Sequence, residues 1–332
     1  MERTSVGILA TGSYLPKDEV SNEEVAERVG ATAEWIERKT QIRSRRYAAP
    51  SEATSDLAAL AGADALARAG LPPERVDYLI VATSTGDSPQ PPTAHLVQDL
   101  LGAYNAVCFD INVVCSGFVY ALALAESLLA RRPGTRALVV AADVYSRILD
   151  FTDRRTAVLF ADGAGAAVLG EVPAPGGIVD FELASRGDAH GLIRVAAGGS
   201  RRPASAETVA GGEHWFRMDG RGVRDFVLEN VPPALASLAA RTGHPLAEVD
   251  HFVPHQANGV MLDQLAETAG LTGARTHKTL VEYGNMGSAS VPVALAAADR
   301  AGQLREGDLV LLAGFGGGMA IGCCLLRWAV RG

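Results

Sequence analysis

The chain reads as an α/β protein in which strands alternate with helices, and three observations carry that reading. Apolar runs of strand length recur, among them VDYLIVAT at 76–83 and AVCFDINVV at 106–114, rich in the β-branched and aromatic residues of buried strands. Between such runs lie stretches with apolar residues at steps of three and four, as in FVYALALAESLLARR at 118–132. The 36 glycines, with abundant alanine, suit tight turns and closely packed helices. Alternating β and α units imply a mostly parallel sheet with helices covering its faces. At 332 residues, 48% of them hydrophobic, the chain can bury a large core and hold two domains or one duplicated plan.

Residues 5–12 form the first strand, and Ser21 with Glu24 makes a capping box opening a short helix through Val29. SDLAALAGADALARAG at 55–70 is a helix closed by Gly70, and the 76–83 strand follows. Pro89, Pro91 and Pro92 mark a loop before a helix at 93–101. The 106–114 strand leads to the 118–132 helix, whose buried face is Phe118, Leu122, Ala125 and Leu129 and whose stop is Arg131, Arg132, Pro133 and Gly134. ALVVAAD at 137–143 is another strand, and 156–169 looks like a hairpin turning at Asp162-Gly163. Pro173, Pro175, Gly176 and Gly177 suggest a boundary, dividing the chain into 1–173 and 174–332. Beyond it, 198–212 is a polar loop. Helices are expected at 221–241, 258–269 and 288–301, with strands at 251–255, 308–314 and 319–328. The second half repeats the plan of the first without a readable sequence repeat.

The four cysteines, Cys108, Cys115, Cys323 and Cys324, show no zinc spacing or CxxC pair, which argues against a metal site and a disulfide framework. No apolar run reaches the length of a membrane span, and the start MERTSVGILATG lacks a signal-peptide core, so a cytoplasmic protein is expected. A net charge of −8 speaks against bulk nucleic-acid binding. Against that background Arg38, Lys39, Arg43, Arg45 and Arg46 gather five of the 30 basic residues within nine positions. They are either a solvated turn or a landing site for nucleotide phosphates or an acidic carrier protein.

Cys115 lies where a strand pattern stops and a helix pattern begins. A thiol there faces the unpaired N–H groups and positive end of the helix, which favours the thiolate. A buried structural cysteine is the bland alternative. Three later segments complement it. VPHQAN at 253–258 ends a strand at His255, which can donate a hydrogen bond or shuttle a proton. YGNMGS at 283–288 brackets Asn285, an amide donor for a developing oxyanion, between glycines. GFGGGM at 314–319 lets backbone N–H groups approach a ligand. The dinucleotide, P-loop, zincin and α/β-hydrolase signatures are missing.

Together these segments resemble the β-ketoacyl-[acyl-carrier-protein] synthase III family of the thiolase superfamily, including its members in polyketide pathways. The resemblance runs from VGILATGSYLP through WIERKTQIRSRR, FDINVVCSGFVYAL and DGAGAAVL to VPHQAN, EYGNMGSASVP and FGGGM. It implies a thiolase-like, five-layered αβαβα fold of two similar halves, normally a homodimer. It puts the nucleophile on Cys115, the histidine and asparagine on His255 and Asn285, and the oxyanion donors on the N–H groups of Cys115 and Gly317. It assigns Trp35, Lys39, Arg154 and Arg221 to CoA or pantetheine binding, and Gln90 and Phe315 to the acyl pocket. No metal or cofactor is implied, since CoA or phosphopantetheine arrives as the substrate's carrier. The implied partners are an acyl-CoA or acyl-carrier protein and a malonyl-carrier protein. The implied reaction is acylation of Cys115 followed by decarboxylative condensation to a 3-oxoacyl thioester, the priming step of fatty acid or polyketide synthesis. A non-decarboxylating acyl transfer to another carrier, hydroxyl or amine is the alternative, and a catalytically inert partner subunit a third. The chain departs from the family pattern at Lys39-Thr40-Gln41, Arg155, Arg221 and Val260, the last standing where a basic carrier-docking residue is expected.

Overall fold

The computed structural model describes residues 4–329. The first half contains strands β1 (Thr4–Tyr14), β2 (Asp18–Ser21) and β3 (Ser44–Tyr47), with helices α1 (Asn22–Val29), α2 (Ala33–Thr40) and α3 (Thr54–Ala69). It continues through β4 (Tyr78–Ala82), α4 (Thr93–Leu101), β5 (Val107–Ile111), α5 (Gly117–Arg131), β6 (Ala137–Val144) and β7 (Asp162–Pro173). The second half runs β8 (Gly177–Ser185), β9 (Ile193–Val195), α6 (Ala206–Ala210), β10 (Phe216–Met218), α7 (Gly220–Thr242), β11 (His251–Pro254) and α8 (Gly259–Thr268). It closes with β12 (Arg275–Thr276), α9 (Leu280–Tyr283), α10 (Ser290–Arg300), β13 (Leu309–Gly316) and β14 (Ala320–Arg327).

Two five-stranded sheets form the frame, in the orders β1-β7-β6-β4-β5 and β8-β14-β13-β11-β12. Taken in chain order within each half, both follow one plan, and the pairings agree strand by strand. The three strands at one end are parallel (β5, β4, β6 and β12, β11, β13), and the remaining two pair antiparallel in each sheet. The sheets are therefore mixed rather than mostly parallel. The two halves share a topology that their sequences conceal.

Side-chain alternation in the strands builds five layers. On β6, Val139 and Ala141 face the middle of the molecule while Leu138 and Val140 face out. On β13, Val310 and Leu312 face the middle while Leu311 and Ala313 face out. The middle layer is α5, with Phe118, Leu122, Ala125 and Leu129, beside α10, with Val291, Ala294, Leu295 and Ala298. Helices α3 and α4 cover the first sheet from outside, and α7 and α8 cover the second. By length and composition Val114–Arg131 could cross a membrane, contrary to expectation, yet it is this central core helix. Its apolar stripe needs no lipid because both sheets cover it. Cys323 and Cys324 point to opposite faces of β14 and are buried packing residues.

The capping box at Ser21 and the bounds of α4 agree with the sequence pattern. The expected hairpin at 156–169 is instead a turn running into the single long strand β7. Gly163 and Gly165 serve close packing rather than a turn: a Cβ on them would lie 2.5 Å from Met286 Sδ and 2.7 Å from Val293 N. Strand β5 also stops at Ile111, because the chain must begin turning ahead of Cys115.

Candidate active site

A short 3-10 turn, Val114–Ser116, carries Cys115 from β5 into α5. Val114 has φ +45°, a conformation L side chains rarely adopt and costly for a β-branched one. The Asn112 carboxamide oxygen accepts a hydrogen bond from the Val114 N–H at 3.2 Å and supports that bend. The β13–β14 turn wraps the far side of the sulfur. A Cβ on Gly316 would sit 2.7 Å from Cys115 Cβ and 2.9 Å from Sγ, and one on Gly317 would press on Val114. Ser116 Oγ donates to the Ala320 carbonyl at 2.9 Å and pins the turn to β14. The glycine run is needed because a side chain at Gly316 would collide with Cys115 and one at Gly317 with Val114.

Three donors reach the sulfur: the N–H groups of Gly317 and of Cys115 itself, and the Tyr145 hydroxyl. They lose to burial. Desolvation first, and the nearby Asp143 charge second, push the thiol from its ordinary 9.0 up to about 12. This corrects the expectation of a resting thiolate. A helix end contributes at most about 2 kcal/mol, whereas a rise of three pH units corresponds to roughly 4 kcal/mol.

His255 follows β11, its N–H donating to the Ala313 carbonyl of β13 at 2.7 Å. The ring is buried, and desolvation lowers its pKa to about 3, only partly opposed by a backbone hydrogen bond with Gly287. It is a neutral imidazole at any working pH. Its buried Nδ1 has no hydrogen-bond partner, and Phe315 meets the ring edge-on at 5.5 Å. Asn285 is held by its backbone, which donates to Leu159 and accepts from Ala161. Its Oδ1 accepts the Gly287 N–H at 3.0 Å, which fixes the carboxamide and leaves Nδ2 as the outward donor. Phe315, His255, Gly287 and Asn285 thus form a chain of contacts, and Gly317, two residues beyond Phe315 on the same turn, reaches the Cys115 sulfur.

Behind these groups stands a network that the sequence reading missed. The buried Asp143 carboxylate accepts from the Ser84 N–H and hydroxyl, both at 2.9 Å, and from the Ser288 N–H at 2.8 Å and hydroxyl at 2.7 Å. Tyr145 Oη lies 3.0 Å from Ser84 Oγ. A Cβ on Gly287, itself at φ +55°, would strike Tyr145 Cε2 at 2.3 Å and Asp143 Oδ2 at 2.5 Å. Asp143 and Tyr145 therefore lock the Asn285 loop to the Cys115 turn. The only sequence signal was a polar DVYS ending an otherwise apolar strand.

A cleft of about 400 Å³ leads from exposed Lys39, Arg155 and Arg224 to buried Asn285, with Leu159, Met218 and Met261 in its wall. Val260, also in that wall, is 38% exposed. Cys115 and His255 are not part of the wall. Arg154 stacks its guanidinium over Trp35 at 5.6 Å, and Arg221 lines a neighbouring cavity with Arg155. Gln90 is exposed on the loop before α4 and lines neither space. The basic run divides. Arg45 is fully buried and bonds Asn22 at 2.8 Å and the Val158 carbonyl at 3.0 Å, and Arg46 pairs with Glu19, so neither belongs to a landing site. Among the described residues no cluster of His, Cys, Asp and Glu could hold a metal.

The family described as 3-oxoacyl-[acyl-carrier-protein (ACP)] synthase III matches residues 109–187, and its C-terminal counterpart matches 239–328. The chain is 40% identical to a β-ketoacyl-[acyl-carrier-protein] synthase III of Symbiobacterium thermophilum over 99% of both chains. It belongs to the synthase III family. The chain is also 50% identical to acetoacetyl CoA synthase NphT7 of Streptomyces sp. (strain CL190), over 97% of this chain and 98% of that one. Among solved structures it matches the synthase III of Pseudomonas aeruginosa with a TM-score of 0.90 at 36% identity, over 99% of this chain and all of that one. The priming β-ketosynthase of the R1128 polyketide pathway gives a TM-score of 0.90 at 33% identity, over 99% and 98%. The five layers described above are therefore the thiolase-like fold.

Proposed function

We propose that this member of the synthase III family forms an acyl-Cys115 enzyme and condenses the acyl group with a decarboxylating malonyl thioester, both substrates being CoA thioesters. Cys115 Sγ attacks the acyl carbonyl while the N–H groups of Cys115 and Gly317 receive the oxyanion. One such donor is worth roughly 2.7–4 kcal/mol. The C–S bond to the carrier breaks, and the cysteine proton leaves with the departing thiol. The malonyl carboxylate then departs as CO₂, and the electron pair moves onto the thioester oxygen, held by the imidazole and by Asn285 Nδ2. The resulting α-carbon attacks the acyl carbon, a C–C bond replaces the C–S bond to Cys115, and the sulfur regains a proton from solvent.

The observation that carries this reading is the pair His255 and Asn285. One is an uncharged ring with an unpartnered buried nitrogen, the other an amide whose oxygen is already tied. The amide is left with Nδ2 to donate to a carbonyl oxygen, and the uncharged ring donates in the tautomer that carries its proton on the nitrogen facing the substrate. A non-decarboxylating transfer would ask His255 to act as a base, and a ring near pKa 3 is a poor one. The CoA assignment extends the relative's name, acetoacetyl CoA synthase, to this chain, and apolar Val260 supports it. A homodimer is proposed through the open edge of β5, beside which Val107 is 58% and Tyr104 69% exposed. Light scattering showing only monomer would dismiss it. The cytoplasm is the expected compartment.

The test supplies acetyl-CoA and malonyl-CoA labelled in its free carboxyl, and follows CO₂, 3-oxoacyl-CoA and the intact mass of the enzyme. Asn285→Ala should lower CO₂ release about 10²–10³-fold, the cost of one oxyanion donor, while still acquiring the acyl mass on Cys115. Undiminished CO₂ release in that variant would leave the condensing mechanism without its donor.

A further inference from the structure

A second cavity, of about 500 Å³, lies between the β9–β10 ribbon and the start of α7. Arg155, Arg194, Arg217 and Arg221 line it, in a chain whose net charge is −8. Arg194 and Arg217 face each other directly across the ribbon. Like charges in directly opposed positions destabilise an antiparallel pair. The nearby acids compensate only part of this. Asp153 takes Arg155 at 2.8 Å, and Asp150 takes Arg217 at 2.9 Å. Asp219, the acid in the cavity wall, spends its carboxylate on the Arg221 and Gly222 N–H groups at the head of α7. Among the described residues no acid pairs with the side chain of Arg194 or Arg221. Four arginines against the three carboxylates of Asp150, Asp153 and Asp219 leave a cationic surplus in a concave space, with the guanidiniums of Arg194 and Arg221 unpaired among the described residues, and such a space attracts anions.

The cavity also adjoins the cleft that ends at Asn285, since Arg155, Met218 and Gly220 stand in the walls of both. A thioester whose carbonyl reaches Asn285 and whose arm follows the apolar cleft carries its far end to these arginines. On a free CoA thioester that end bears a pyrophosphate and a ribose phosphate, for which planar guanidinium forks are matched donors. On a carrier protein it is a single phosphodiester joined to a folded domain, which cannot enter a recess of this size. We propose that this arginine cavity, outside the Trp35–Arg154 pair, receives the phosphates of a CoA thioester and makes the enzyme choose CoA over carrier protein. The proposal rests on the condensing function above for its substrate and its kinetic test, but not for its binding test.

The probe is adenosine 3′,5′-bisphosphate, titrated calorimetrically into the parent and an Arg194→Ala/Arg221→Ala variant, which breaks no ion pair. Binding to the parent should weaken as salt rises and fall at least tenfold in the variant. In kinetics, the ratio of KM for malonyl-CoA to KM for malonyl-pantetheine should rise at least tenfold. That ratio, taken within one protein, is insensitive to partial misfolding. Equal bisphosphate affinity in the two proteins, or an unchanged ratio, would overturn the proposal. So would a KM increase confined to malonyl-carrier protein, which would make the arginines a docking face. Arginine-dependent bisphosphate binding in a parent that releases no CO₂ would uphold the site and reject the condensing function instead.

Discussion

Alkylating Cys115 across a pH series tests the balance between burial and hydrogen bonding at the sulfur. An ordinary thiol at 9.0 is about one-tenth ionised at pH 8, whereas one pushed up to about 12 is ionised in about one molecule in 10⁴. Only the thiolate reacts, so burial costs Cys115 roughly a thousandfold in the ionised fraction. Restricted access slows every pH point alike, so the slope is the readout rather than the absolute rate. Iodoacetamide labelling, quantified peptide by peptide to separate Cys115 from Cys108, Cys323 and Cys324, should rise about tenfold per pH unit from pH 7 to 10. A plateau at or below pH 8 would refute the reasoning. It would mean that the Gly317 and Cys115 N–H groups and the Tyr145 hydroxyl outweigh desolvation and the Asp143 charge.

Tyr145→Phe removes one of those donors while keeping the ring among Phe160 and Phe216. It should slow acylation of Cys115 by roughly three- to tenfold, the worth of one hydrogen bond, and leave CO₂ release from acyl-enzyme within twofold; single-turnover mass spectrometry reads both. Gly316→Ala places a methyl 2.9 Å from the sulfur and should abolish acylation, while bisphosphate still binds, so a protein that acylates at the parental rate would contradict the packing described. For His255 the sign follows from its lowered value. The unfolded chain protonates near 6.5 and the folded ring only near 3, so stability is present above 6.5 and is lost as the pH falls through that window. Between pH 6.5 and 4.5 the group should cost roughly 2–3 kcal/mol. Urea melts at the two pH values should show that loss shrink in His255→Gln, and equal losses in both proteins would place the proton on another group.

The elements legible in the sequence were those whose signals are local. Ser21 and Glu24 bracket a helix end, and the stripe from Phe118 to Leu129 lies on one face whatever packs against it. Signals that needed a partner in space were misread. Gly163 was assigned to a turn because nothing in its neighbours announces the Met286 side chain pressing on it. Arg45 was counted in a surface charge run because a buried arginine is visible only once Asn22 and the Val158 carbonyl are seen to receive it. The candidates Cys115, His255 and Asn285 came from motifs, since chain distance alone does not bring Cys115 to Asn285. Asp143 and Tyr145 carry no motif of their own. The ionisation of Cys115 was misjudged because the helix end is written in the sequence and the depth of burial is not.

The duplicated topology explains why two segments 170 residues apart build one site. In each half the third strand of the plan, β5 or β12, feeds a central helix through a 3-10 turn, Val114–Ser116 before α5 and Gly287–Ala289 before α10. Both helices lie in the same middle layer, and their starts touch: a Cβ on Gly117 would lie 3.6 Å from Ser288 Cβ. Cys115 and Ser288 therefore occupy related slots, each in the 3-10 turn at the positive head of a buried helix, and Asn285 stands two residues before its turn as Asn112 does before the other. In the proposed reaction the first head carries the sulfur whose attack generates an oxyanion, and the loop leading into the second carries the amide that receives an enolate. Both tasks need the same field. Repeating the fold supplies that field twice, and Asp143, bonded to Ser288 at one head and near Cys115 at the other, fixes the distance between the two copies.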